Sequence, residues 1–376
     1  MPEDIYKKLA RHLDELPGGY PPTESGVELR ILQRLFTPEE AAAALCTTLI
    51  PEEAGVIARR LKKPLGATAE LLADMARNGL IYSIHPGEKP PLYMAAQYVV
   101  GIWEYHVNQL DEDLIRDMRE YMPQLFDHQA WSKSPQIRTI PVQRSLSAEA
   151  RTLPYEEVET LVAGAKKILV APCICRREHQ IMGDGCDRMV ETCLVFGGGA
   201  DYYERAGIGR RIDAAEALGI LRQADKQGLV VQPSNSQKII NICLCCGCCC
   251  GILKSLKKHP RPAEVVSSPF VAEFVPDECK ACGLCVKRCQ MEAFHLEDKE
   301  LRYDAGRCIG CGLCVSTCPT GSLRLARKPD REQKEVPASI VNTFLNLGKA
   351  RGKLGPASLA KMQLKSKLDR ALALKR

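Results

Sequence analysis

Between residues 37 and 94, apolar positions first recur at helical spacing and then switch to short strand-like runs. Thr37-Pro38-Glu39-Glu40 opens an alanine-rich helix: threonine caps it, proline takes the first turn, and two acids face the positive end of the helix dipole. Pro51-Glu52-Glu53 predicts the start of a second helix in the same way. Thr68 predicts the cap of a third, Ala69 to Asn78, with Leu71, Leu72 and Met75 on one face before Gly79 stops it. Leu80 to Ile84 then reads as a strand, His85 to Pro90 as a turn, and Leu92 to Met94 as the returning strand. A further helix is expected around Tyr98 to Asn108. Lys133 to Arg151, which holds Pro135 and Pro141, reads as a linker.

Further along, Ile168 to Ala171 reads as a buried strand, Asp213 to Gln227 as a helix, Leu229 to Val231 as a strand and Ile252 to Lys258 as a helix. Short strands follow at Phe270 to Phe274, Leu301 to Tyr303 and Ser322 to Leu325. After Pro329, helical patterns cover Ile340 to Leu347 and Ser358 to Lys375. In the second, Leu359, Met362, Leu364, Leu368 and Leu372 fall near helical period, with Lys361, Lys365, Lys367 and Arg370 between them. The expected fold class is α+β multidomain. Its parts are an N-terminal domain at 1–130, a linker at 131–151, a small α/β cysteine-rich domain at 152–267, a further domain at 268–328 and a basic amphipathic tail at 329–376.

Composition narrows the class. Of 376 residues, 45% are apolar and 26% charged, a balance that excludes wholesale disorder. No apolar run reaches the 18 residues or so that a bilayer span needs. The N-terminal MPEDIYKKLARHLDEL is polar, without a signal-peptide core, so a cytoplasmic location is expected. Residues 1–130 carry 13 basic and 20 acidic groups, whereas 327–376 carry 13 basic and 4 acidic. A basic tail on an acidic body points to docking. The tail suits an anionic membrane at the inner face, or an acidic partner, which a second copy of the chain would supply in a homodimer. Helices followed by a polar-tipped hairpin resemble a winged helix-turn-helix. Its third helix offers Glu70, Asp74 and a single Arg77, so phosphate contact is disfavoured despite the local run Arg59, Arg60, Lys62 and Lys63. A docking role is expected there and DNA binding is not.

Nineteen cysteines change the picture most. Eighteen lie between Cys173 and Cys250 or between Cys279 and Cys318; Cys46, outside both blocks, reads as a small buried hydrophobe. An odd count, adjacent cysteines and tight clustering fit soft-metal ligation in a reducing compartment better than disulfides. Cys279-x2-Cys282-x2-Cys285-x3-Cys289 is followed by Cys308-x2-Cys311-x2-Cys314-x3-Cys318-Pro319. Over about residues 268–326 the chain resembles the bacterial two-cluster ferredoxins, in which the fourth cysteine of each run ligates the other cluster. The resemblance implies one 4Fe-4S cluster on Cys279, Cys282, Cys285 and Cys318, and another on Cys308, Cys311, Cys314 and Cys289. Gly283, Gly310 and Gly312 are expected to let backbone approach the inorganic sulfides. Gln290 departs from the pattern, standing where the first run usually has proline.

The middle block holds ten thiols, which would oxidise if exposed and free. Cys173, Cys175, Cys186 and Cys193 make one quartet for a further cluster. The run Cys243, Cys245, Cys246, Cys248, Cys249 and Cys250 exceeds a second quartet. Its two Cys-Cys-Gly units resemble those of heterodisulfide-reductase-type proteins, without that family's long spacing. Two further clusters, one cluster, and zinc or a redox-active thiol site all stay open. Gly197-Gly198-Gly199 lacks the context of a dinucleotide site, and there is no P-loop.

Over roughly residues 30–328 the chain also resembles iron–sulfur proteins of anaerobic bacteria described as 4Fe-4S dicluster-domain proteins. That resemblance implies electron transfer, relayed through several clusters to or from a partner oxidoreductase. The alternatives are a redox-responsive winged-helix regulator and a reductase with a catalytic cluster at 243–250. The expected load is roughly 12 to 16 irons per chain, at four irons per cluster.

Overall fold

The computed structural model describes residues 4–125, 128–146 and 152–373. The first three residues, the last five of the expected linker and the last three of the tail lie outside the described residues. The chain divides into two units, one of residues 1–127, 201–208 and 344–376, the other of 128–200 and 209–343.

In the first unit, Thr37 caps the helix Pro38–Ala44 reciprocally: the Glu40 amide donates to Thr37 Oγ1 at 3.2 Å, and the Thr37 amide to the Glu40 carboxylate at 2.9 Å. The second helix begins later than the sequence predicts, at Ala54–Leu61, because Glu52–Glu53 is a short strand. Glu52 is fully buried, and Arg60 grips its carboxylate at 2.6 and 2.7 Å. The third helix begins earlier, at Leu65–Arg77. Thr68 lies inside it, with its hydroxyl donating to the Pro64 carbonyl at 2.9 Å. Leu92–Met94 is the centre of a three-stranded antiparallel sheet, flanked by Tyr82–Ile84 and Glu52–Glu53. Tyr98 to Asn108 is no single helix: an irregular turn, Tyr98–Ile102, precedes a short helix at Trp103–Tyr105. Cys46 sits half-buried just past the end of its helix, and burial raises its thiol pKa.

The tail helix runs Pro356–Ala373 against Ala54–Leu61, within the same unit. Its buried side is polar, the reverse of the amphipathic expectation. Ser366 donates to Glu52 at 2.6 Å, and Arg60 Nε donates to Asp369 at 2.7 Å. Leu364 and Leu368 are left 60% and 55% exposed. A three-part network, Glu52–Arg60–Asp369, therefore holds the tail by charge rather than by apolar area. No helix among the described residues is long and apolar enough to cross a membrane.

The second unit is built on a five-stranded antiparallel sheet. Its order is Arg210–Ile212, Ile168–Pro172, Glu191–Phe196, Asn241–Cys245, Val230–Pro233. The expected helix runs Ala214–Lys226, and Asp213 caps it through the Glu216 amide at 2.8 Å. Gly197-Gly198-Gly199 opens the helix Gly197–Arg205. Beyond the sheet, Phe270–Phe274 pairs with Leu323–Arg327, and Phe294–Glu297 with Glu300–Tyr303. The described part of the expected linker is core material. Ile137, Arg138, Thr139 and Ile140 are buried, and Ile137 and Ile140 bridge to Ser234 and Val231. The Val142 amide donates to the Cys311 carbonyl at 3.0 Å. Two prolines marked this stretch as a connection, but proline is at home in extended backbone that lacks continuous ladder pairing. Residues 329–343, placed in the tail by sequence, also belong to this unit.

Replacing Arg60 with leucine leaves the Glu52 carboxylate buried without its cation. The expected loss is about 3–5 kcal/mol of unfolding free energy. Denaturant titration by far-UV circular dichroism checks it, and a loss below about 1 kcal/mol would contradict the buried-pair account.

Candidate metal centres

The two ferredoxin-type runs fold so that their thiols alternate between two cavities. Cys279, Cys282 and Cys285 wrap one loop, and Cys318 joins them from the other run. Together they edge an open hollow. Cys308, Cys311 and Cys314 wrap the second loop, and Cys289 joins them around a second hollow. This is the pairing that the resemblance implied. Soft thiolate donors, four around each of two cavities that no side chain fills, suit a bound iron–sulfur group.

Two of the three glycines are required by protein neighbours as well as by backbone angle. Gly310 has φ +69°, and a Cβ there would stand 2.1 Å from the Phe270 carbonyl oxygen. Gly312 has φ +72°, with Ser145 Oγ 2.0 Å from its would-be Cβ. Gly283 has the same positive φ in open surroundings, where conformation alone selects glycine.

The thiols are unequal. Cys285, Cys308 and Cys314 belong to the core, packed with Ala272, Ala293, Phe294 and Leu323. Burial pushes the Cys285 thiol up to about 11 and the Cys311 thiol up to about 12. At Cys318, burial also acts upward. Hydrogen bonds from Ser322 and Thr320, whose hydroxyls lie 3.3 and 3.5 Å from its sulfur, outweigh it and bring the thiol down to about 6.

In the middle block the cysteines group differently from the sequence expectation. Ile168–Pro172 delivers Cys173 to the start of the helix Ile174–Ile181, with Cys175 in its first turn. Cys175 hydrogen-bonds Cys173 and Cys250, while Cys245 hydrogen-bonds Cys250 and Cys243. Those S–H groups favour the Cys250 thiolate and lower its pKa. Cys193 lies on the adjacent strand, directly opposite Cys243. Cys186 leaves the expected quartet and joins Cys246, Cys248 and Cys249, whose sulfurs and its own all lie within 4.8 Å of one another. Burial acts to raise the Cys186 thiol, but hydrogen bonds from Arg188, Cys249 and Cys248 bring it down to about 6.

Three further residues shape these sites without having been singled out by spacing. Arg176 is buried with its guanidinium 3.5 Å from Cys246 Sγ and 2.8 Å from the Leu244 carbonyl. Arg188 lies 3.4 Å from Cys248 Sγ. A buried guanidinium needs negative charge nearby, and thiolates provide it. Gln290 accounts for its own departure from the ferredoxin pattern: its side-chain carbonyl accepts the Gly247 amide at 2.7 Å, tying the 245–250 run to the loop that holds Cys289. His179 pairs with Asp184 at 2.7 Å.

With folded thiols at 11–12 and unfolded ones near 8.5, the folded iron-free protein binds more protons once pH passes about 8.5. The contribution of Cys285 and Cys311 is therefore full below that pH and is lost as pH rises toward their folded values. Thermal unfolding of iron-free protein between pH 8 and 11 should show a falling Tm. A Cys285→Ser, Cys311→Ser variant should show a flatter profile, and equal slopes would refute the assignment.

Residues 278–322 match the family model described as the 4Fe-4S dicluster domain. No curated protein and no solved structure matches the chain. This segment, lining both cavities with its eight cysteines, is an iron–sulfur, ferredoxin-like domain.

Proposed function

We propose that the protein relays electrons through iron–sulfur centres to or from a partner oxidoreductase. The observation that carries this reading is the pair of cavities, each edged by four thiols drawn from both runs. A bound 4Fe-4S cluster supplies one-electron redox chemistry. Cys279, Cys282, Cys285 and Cys318 would hold one, and Cys289, Cys308, Cys311 and Cys314 the other. The chain's own residues set access and potential.

The first site is the exchange side. Cys282 is exposed, and Leu284 and Leu296 stand 39% and 45% exposed beside it, an apolar rim suited to a redox partner. The second site is more enclosed: Cys308 and Cys314 are buried, and the 134–146 segment backs it. None of the nineteen cysteines is paired in a disulfide, which suits a reducing, anaerobic cytoplasm.

The N-terminal helices and three-stranded sheet serve as a winged-helix-like docking module. The exposed side of Leu65–Arg77 presents Glu70 and Asp74, and Arg77 is tied to Asp74 at 2.8 Å. Arg59 and Arg60 are engaged by Asp369, and Lys63 by Glu39. Few cations are left for phosphate, so mobility-shift assays at moderate salt should give no sequence-selective DNA complex.

Two measurements test the relay. Anaerobically purified Cys314→Ser protein should lose about four irons relative to wild type; unchanged iron content would sink the ligand set. Ser322→Ala removes a hydroxyl beside Cys318 Sγ and should lower the reduction potential of the first site, because hydrogen bonds to ligand sulfur favour the reduced, more negative state. An unchanged or higher potential would contradict that role.

A further inference from the structure

We infer that Cys186, Cys246, Cys248 and Cys249 hold a single tetrahedral divalent ion of the zinc class, separate from every iron–sulfur centre. The evidence is the spacing of the sulfurs. Cys186 and Cys246 lie 4.0 Å apart, Cys186 and Cys249 3.7 Å, and Cys248 and Cys249 3.8 Å. A tetrahedral ion with zinc–sulfur bonds of about 2.3 Å places its sulfurs ~3.8 Å apart. In a cubane, each thiolate takes a different iron, so its sulfurs must stand around a body rather than around a point. The ferredoxin-type thiols do that, spread around the walls of two hollows. Among the described residues, Cys186, Cys246, Cys248 and Cys249 are the one group of such ligands gathered within 4.8 Å.

The charge around the quartet fits the same occupant. Four thiolates on a divalent ion leave two negative charges, and two guanidinium groups meet them: Arg176 at Cys246 and Arg188 at Cys248. Binding exchanges thiol protons for the ion and requires no oxidant or reductant. Four protein ligands leave no open position for substrate, which makes the site structural. Its target is visible. Three ligands come from the turn that follows the strand Asn241–Cys245, and Gly247 within that turn donates to Gln290, beside Cys289. The ion therefore clamps the cysteine run in the shape that meets the second ferredoxin-type site.

The inference is independent of the electron-transfer reading, and its test keeps the two apart. Full-length protein purified anaerobically from cells given both iron and zinc should retain about one zinc per chain. Cobalt(II) supplied in place of zinc should give intense sulfur-to-metal charge-transfer bands with tetrahedral ligand-field absorption. Cys248→Ser, at an exposed position, and Cys186→Ser should each abolish the zinc and the cobalt spectrum. Iron content and the EPR signal of the reduced protein should stay at wild-type values. Arg188→Ala should weaken zinc retention about 10- to 100-fold against a chelator. If Cys248→Ser instead costs about four irons, or if wild-type protein holds zinc no better than Cys248→Ser, the inference fails. Loss of iron with zinc retained would count against the ferredoxin-type assignment and leave this one standing.

Discussion

The second unit depends on one packing constraint: thiols stand where apolar side chains would otherwise complete the core. Around the ferredoxin-type sites the core consists of Ala272, Ala293, Phe294, Leu323 and the cysteines themselves. Small residues and thiols line both hollows, so side chains alone supply few dispersion contacts there. Protonated, those thiols make a poor core; as ligands they become its centre. Metal capture then adds its binding free energy to the stability of this region. The backing segment 134–146 and the buried ties Gln290–Gly247 and Arg288–Asp225 (2.8 Å) complete that centre.

Charge is handled by a second device, repeated in both units. Arg60 is buried between Glu52 and Asp369, and Arg176 among the thiols of the middle block. Each cation is tolerated because its counter-charges are in contact with it, and removing either side leaves an expensive orphan. In the first unit the partners are carboxylates fixed by the chain. In the second they are sulfurs, whose charge depends on what they bind.

Much of this was legible where local chemistry and structure coincide. Phe270–Phe274 forms with the expected bounds, a helix follows Asp213, and Cys289 and Cys318 cross between the runs as the ferredoxin resemblance implied. The failures occur where neighbours come from distant parts of the chain. Cys186 meets Cys246, Cys248 and Cys249 from 60 or more positions away, and spacing carries no record of that. Asn241–Cys245 is a strand whose alternate residues are cysteines, so the run read as metal chemistry alone and its sheet pairing with Glu191–Phe196 went unseen. The tail pattern was read by its leucines. What docks it is Ser366 and Asp369, whose partners Glu52 and Arg60 lie more than 300 positions earlier.

The division of the chain also sets an order of assembly. Residues 128–343 lie between pieces of a unit that needs 344–376 to finish it. A ribosome delivers the whole metal-bearing unit before it delivers Asp369 to Arg60. Throughout that interval the N-terminal helices wait with an incomplete charge network, while every cysteine is already available for loading. The helix Pro356–Ala373 thus completes its charge network only after the thiols of residues 128–343 have been synthesised.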